Sequence, residues 1–216
     1  MRKHRLRWFL LLALIAAGLL LAWWRPLAAG TIAAYADNVI NRPVGIAGAI
    51  AVQTLLFSLA LPGSLMLWAV APFHDWPAAT AILTAGSVAG ALGGYGVAGW
   101  LGAEWRHRLQ DSPPFRILAR NGGFLAQCAL RALPGFPHSV MNYGGGLLGL
   151  PLPTYTAAAV IGLGLKSAVF VQAVGAVATA GTVYGLFQPA TVGPLAALAL
   201  LLGLGAAVRA RWGRQG

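Results

Sequence analysis

Apolar residues along the chain fall into long blocks separated by short polar or glycine- and proline-marked breaks. The first block runs from Trp8 to Trp24, behind the basic start MRKHRLR, and ends in Trp-Trp-Arg-Pro; it reads as an uncleaved first span with an aromatic anchor at its far end. A polar connector from Ala28 to Arg42 follows. Val44 to Phe73 is apolar but broken at Leu61-Pro62-Gly63, which predicts two half-helices meeting at a turn. After the polar tip His74-Asp75-Trp76-Pro77, a long span is predicted from about Ala78 to Gly102. Ala103 to Gly123 reads as the longest polar loop. The block Gln127 to Leu150 is broken again, and Pro151-Leu152-Pro153 reads as a turn. Thr154 to Phe187 is a long apolar run interrupted by Lys166 and several glycines, and a last span runs from about Val192 to Val208 into the basic tail RARWGRQG.

Blocks of this length are too long for strands. The predicted fold is all-α: a polytopic membrane protein with about four transmembrane helices and two inverted re-entrant helical hairpins. Its expected organisation is an anchor helix and connector over 1–43, an inverted-repeat membrane domain over 44–185, and a C-terminal helix with a basic tail over 186–216. Basic residues test this arrangement, because short loops rich in Lys and Arg stay on the cytoplasmic side. With both broken blocks re-entrant, Arg2, Lys3, Arg5, Arg7, Arg106, Arg108, Arg116, Arg120, Arg209, Arg211 and Arg214 fall on one side, against Arg25 and Arg42 on the other. The bias predicts an inner (plasma) membrane protein with both termini cytoplasmic. Leu-Pro-Gly occurs in both broken blocks, at 61–63 and 133–135, each time ahead of a connector and a glycine-rich span. Paired interrupted segments in inverted halves are the pattern of secondary transporters.

Composition agrees with this picture and narrows it. Hydrophobic residues make up 58% of the chain and charged ones 9%, too apolar for a soluble domain of 216 residues. The net charge of +11 flanks apolar runs instead of lining one amphipathic face, so topology explains it better than nucleic acid does. A single Cys128 excludes an intrachain disulfide and a cysteine-built metal site; the four acids are too scattered for a carboxylate cage, so no cofactor is implied. The G-x-G-x-x-G at Gly94, Gly96 and Gly99 lacks the strand that a dinucleotide site needs. Gly94 belongs also to a ladder of small residues at every fourth position, Gly86, Gly90, Gly94, Ala98 and Gly102, where another helix can approach closely, within one chain or across a homo-oligomer.

Candidate chemistry gathers in the second broken block. Arg131 at membrane depth is costly unless it faces protein or water, and Pro134 and Pro137 remove helical donors on either side of a turn. A guanidinium there can hold a lipid phosphate bidentately while staying charged. His138 and Asn142 follow closely enough to share its cavity, and half-helix N-termini after Pro62-Gly63 and Pro137 add anion-directed dipoles. The plainer readings are that Arg131 pairs with backbone carbonyls, that His138 and Asn142 are structural hydrogen bonders, and that Lys166 snorkels or faces a cavity.

The run Arg131, Pro134, Pro137, Asn142-Tyr143 and Gly146, together with Leu61-Pro62-Gly63 and the glycine-rich span ending near Gly102, resembles the VTT-domain proteins. These are also called the SNARE-associated Golgi protein or DedA superfamily, and the chain looks nearest to its bacterial Tvp-like branch. The resemblance covers roughly Val44 to Gly185. It implies two inverted re-entrant hairpins and movement of lipids across a bilayer, as scramblases in eukaryotes and as undecaprenyl-phosphate or phospholipid translocases in bacteria. Two features depart from the DedA pattern: no acid lies between Val44 and Phe73, and Pro137 stands where a second arginine is expected. Ser139 replaces the asparagine of the Tvp-like pattern. The expected function is therefore a lipid translocase or scramblase with Arg131, Pro134, Pro137, His138, Asn142, Pro62 and Gly63 forming its headgroup site. The alternatives are a transporter of a small anionic solute and a non-transporting membrane organiser. No G-x-S-x-G or H-E-x-x-H element supports an enzyme.

Overall fold

A computed structural model describes residues 42–110, 112–179 and 188–212, all within one compact unit, Ile40–Gly216. Among them are eight helices and no strand: α1 Pro43–Ser58, α2 Ser64–Val70, α3 Trp76–Gln110, α4 Pro113–Arg120, α5 Phe124–Ala132, α6 His138–Leu147, α7 Leu152–Thr179 and α8 Pro189–Trp212. The expected first span, Trp8 to Trp24, and its connector lie outside the described residues. Three helices are long and apolar enough to cross a membrane, over Trp76–Trp100, Leu152–Val177 and Thr191–Val208. Leu55, Leu65, Trp68, Trp100, Leu125 and Leu200 are exposed on the outside of the bundle, where lipid is the solvent that suits them.

Both broken blocks form as two helices around a break. The last turn of α1 closes with Leu61 N–H on the Leu56 carbonyl, which puts Ala60 at φ 59°, a left-handed position that a non-glycine residue adopts at a cost. In the second block Gly135 takes φ 98° between Pro134 and Phe136, and α6 starts immediately after Pro137.

The small-residue ladder explains how the halves join. Gly86 sits against Gln53 and the Ile50 carbonyl, Gly90 against Phe57 and the Thr54 carbonyl, and Gly93 against Ser58. Rising numbers match rising numbers, so α1 and α3 run the same way, and the chain returns between them through the break and α2. Higher up, Gly94 takes the Asn142 side chain, and Gly146 rests on the Tyr95 carbonyl and Ala98. The ladder from Gly86 to Ala98 is thus occupied within one chain, by α1 below and α6 above. With glycine in place, hydroxyls reach the exposed backbone: Thr54 donates to the Gly86 carbonyl at 3.3 Å and Ser58 to the Gly90 carbonyl at 3.2 Å. Each such bond between membrane helices contributes roughly 0.6 kcal/mol.

Helix α7 crosses α3 in the opposite sense: Tyr155 donates to the Ala91 carbonyl at 3.1 Å while Gly164 lies beside Thr84. The two spans that follow the broken blocks therefore run antiparallel. The first arm of each block packs on its own following span, α1 on α3 and α5 on α7, and α6 crosses to α3.

The expected polar loop from Ala103 to Gly123 is helical instead. Helix α3 continues to Gln110, and α4 begins on Pro113 and Pro114, which suit the first positions of a helix. Phe115 and Leu118 lie one turn apart on its buried face, against Gly144 of α6, and leave Arg116 and Arg120 outside. Likewise Leu152 and Pro153, expected in a turn, form the start of α7. The long run to Phe187 is helical as far as Thr179; residues 180–187 lie outside the described set.

The halves are also tied by donors of α6 on the last carbonyls of α1, which have no helical partners of their own. Asn142 Nδ2 donates to Phe57 O at 3.3 Å, and the Tyr143 hydroxyl donates to Ser58 O. Tyr143→Phe is expected to lower stability by about 1 kcal/mol, read as a fall in melting temperature in one detergent. An unchanged melting temperature would show that this bond adds nothing.

Candidate functional site

A cavity of about 400 Å³ opens where the break of the first block meets the start of α6. The break supplies Ala60 to Ser64, α1 supplies Gln53 and Phe57, α3 Leu83 and Ser87, α6 His138 and Ser139, and α7 Leu163, Lys166, Ser167 and Phe170. Its walls are mostly apolar, with hydroxyls and two nitrogen bases on the α6 and α7 side and no carboxylate.

Gly63 makes the cavity's edge possible for a spatial reason, since a Cβ there would collide with the Phe57 ring. Below it the Gln53 amide, 4% exposed, donates to the Ser87 hydroxyl at 2.9 Å. His138 is the first residue of α6, placed by Pro137 at the N-cap, and its ring lies 5.1 Å from that of Phe57. Across the cavity Lys166 Nζ is 2.8 Å from His138 Nε2 and 5.8 Å from the Phe170 ring.

Arg131 lies elsewhere. It is fully buried at the end of α5, with its stem against Gly162 of α7 and its guanidinium over the Tyr155 ring at 4.4 Å. Among the described residues none of its three guanidinium nitrogens meets a hydrogen-bond acceptor in good geometry, the nearest polar group being on Tyr155 itself. Tyr155 is itself fully buried, held by its bond to Ala91 O. The expected pairing of Arg131 with backbone carbonyls is therefore absent among the described residues, and its contact is a cation over an aromatic face.

Of the residues expected to form one site, the fold brings Pro62, Gly63 and His138 to the cavity. Arg131 stays behind Tyr155; Asn142 is buried against Gly94 with its amide on Phe57 O; Pro134 packs its carbonyl on Gly205 of α8; Pro137 caps α6. The cavity adds Gln53, Ser139, Ser167 and above all Lys166. Lys166 had a signal in the sequence, as the one charged residue inside a long apolar run, and an ionisable residue there marks a functional position more often than a snorkelling one. Gln53 and the serines had none.

The VTT domain aligns with residues 61–176, from the first break to near the end of α7. The chain belongs to the VTT-domain family. This is the domain of the DedA and SNARE-associated Golgi proteins, so the membrane character read from the apolar helices is a family property. No curated protein and no solved structure matches the chain. In this VTT domain the matched segment begins at Leu61, so it contains Pro62-Gly63 and the second break, Arg131 and Lys166, while all of α1 and all of α8 lie outside it.

Proposed function

We propose that this VTT-domain protein moves a phosphate-bearing lipid between the leaflets of the inner membrane, with both termini cytoplasmic and the two broken segments acting as re-entrant hairpins. The headgroup passes through the cavity while the acyl chains stay in the bilayer. One observation carries this reading: a cavity at the meeting point of the two halves, apolar over most of its wall and lined on one side by Lys166, His138 and serine hydroxyls with no carboxylate. Irregular backbone at membrane depth is tolerated where it lines such a space. An anionic headgroup leaving water needs donors and a cation, and a lipid's tails need an apolar path beside them. Arg131 supplies a second cation once Tyr155 swings off it, taking the phosphate bidentately as the halves rock.

The test is exchange of fluorescent phospholipid in liposomes containing the purified protein, read by quenching of the outer leaflet. Fluorescence is expected to fall past the half expected for a sealed, static bilayer, for phosphatidylglycerol more than for a lipid lacking phosphate. No exchange by folded protein, either with phospholipid or with a polyprenyl phosphate, would exclude the reading and favour a soluble anion as cargo.

A further inference from the structure

We infer that the His138–Lys166 pair is the anion-receiving centre of the cavity, and that a phosphodiester loads there together with a proton taken up from solution. The inference deepens the proposed function and rests on its choice of cavity. An ammonium group has donors only, so a Lys166 Nζ at 2.8 Å from His138 Nε2 requires that one of the two nitrogens be unprotonated. The facing atoms thus share a single proton; with Lys166 as the ammonium and His138 neutral the pair carries one positive charge, although it can carry two. Among the described residues nothing else at the cavity supplies the opposite charge, since no carboxylate lines it.

The groups facing the pair come from five helices. Helix α1 presents the Phe57 ring and the Gln53 amide, α2 Ser64, α3 Ser87, and α7 the Phe170 ring and Ser167. From α5 the fixed cation Arg131 acts on His138 through its charge, and the Tyr155 phenol is engaged with Ala91 O. Among the described residues every charge near the pair is therefore positive. The first amides of α6, at His138 and Ser139, have no partner within the helix and begin at the same wall. The site is built to receive an anion.

Loading proceeds in a balanced way. When the diester enters, the Lys166 ammonium leaves His138 Nε2 and donates to a phosphate oxygen. Nε2 then takes a proton from water and donates to a second oxygen. The cavity gains one negative charge from the diester and one positive charge from the proton, so loading is electroneutral. On release the proton departs and the Lys166–His138 bond re-forms. Carrying a neutral pair avoids most of the cost of moving a bare charge through hydrocarbon.

The experiment uses the full chain in nanodiscs of digalactosyldiacylglycerol, a lipid without phosphate, in lightly buffered medium near neutral pH with a pH-indicator dye. The probe is dimethyl phosphate, which has no titrating proton in that range, so any proton taken up belongs to the protein. Wild-type protein is expected to alkalinise the medium saturably, towards about one proton per chain. His138→Gln is expected to bind the probe, by saturation-transfer NMR, with no alkalinisation. Lys166→Met is expected to weaken binding at least about tenfold, and Lys166→Arg to restore it. Repeating the titration with phosphatidylglycerol in the nanodiscs separates the sources: loss of the signal assigns a lipid headgroup, and an undiminished signal a soluble phosphodiester. Binding without proton uptake by the wild type, uptake that persists in His138→Gln, or no binding at all would overturn the inference. Should Lys166→Met fail to fold, the His138→Gln arm decides alone. Lipid exchange with no proton uptake would remove this inference and keep the proposed function; proton-linked binding with no exchange would do the reverse.

Discussion

Arg131→Met is expected to give a protein that melts at a higher temperature than the wild type and moves no lipid. The guanidinium is fully buried and, among the described residues, none of its nitrogens meets a hydrogen-bond acceptor in good geometry; its contact is the Tyr155 ring at 4.4 Å. A desolvated cation–π pair contributes about 2 kcal/mol, whereas removing a cation from water costs several kcal/mol even after relaxation. Among the described residues nothing of opposite charge compensates the Arg131 cation. Methionine matches the stem that packs against Gly162 and brings no charge, and replacing buried ionic groups by apolar ones of similar volume stabilises by about 1 to 4 kcal/mol in favourable cases. A residue that costs stability in the empty state is explained if it binds in another state, which is the usual trade between stability and function. The measurement pairs thermal unfolding in one detergent with the liposome exchange assay. A lower melting temperature together with lost exchange would give Arg131 a structural role; a higher one with intact exchange would remove it from the mechanism.

Gly146→Leu is expected to abolish the native fold. A Cβ at this position would strike the Tyr95 carbonyl, its carbon and the Ala98 side chain, all of them parts of α3 that cannot turn aside. Helix α6 would have to lift off α3, and the contacts that depend on the same approach would go with it: Asn142 over Gly94, the Asn142 and Tyr143 bonds to the end of α1, and His138 at the cavity wall. Overpacking a tight contact costs about 1 to 3 kcal/mol where neighbours can yield, and more is expected where the neighbour is backbone. The check is size-exclusion behaviour and melting of the purified variant beside Gly96→Leu on α3, where no atom lies within 4 Å of the added Cβ. A Gly96→Leu protein as damaged as Gly146→Leu would mean that helix propensity, not the α3–α6 contact, sets the result.

Much of the helical layout is legible in the sequence because its causes are local. Apolar blocks of span length, Pro62-Gly63, and the Pro134 and Pro137 pair specify where helices run and where they stop, whatever surrounds them. The ladder from Gly86 to Ala98 likewise announces a close helix contact, though not its partner. The stretch from Ala103 to Gly123 misleads because its charges dominate, while the signals for α4 are sparse: two prolines at a helix start and Phe115 and Leu118 three residues apart.

The candidate site divides along the same line. By itself the sequence determined that this is an all-helical membrane protein with two broken apolar segments and with cations inside apolar segments. Those properties follow from hydropathy and backbone chemistry within a few residues of each position. Which cation faces the cavity was decided by tertiary structure. Gly162 lets α5 lie close on α7, and that contact turns Arg131 beneath Tyr155, while the Pro137 cap aims His138 at Lys166, 28 residues away along the chain. A side chain's surroundings here depend on where three helices cross, and no pattern of neighbours in sequence encodes that crossing.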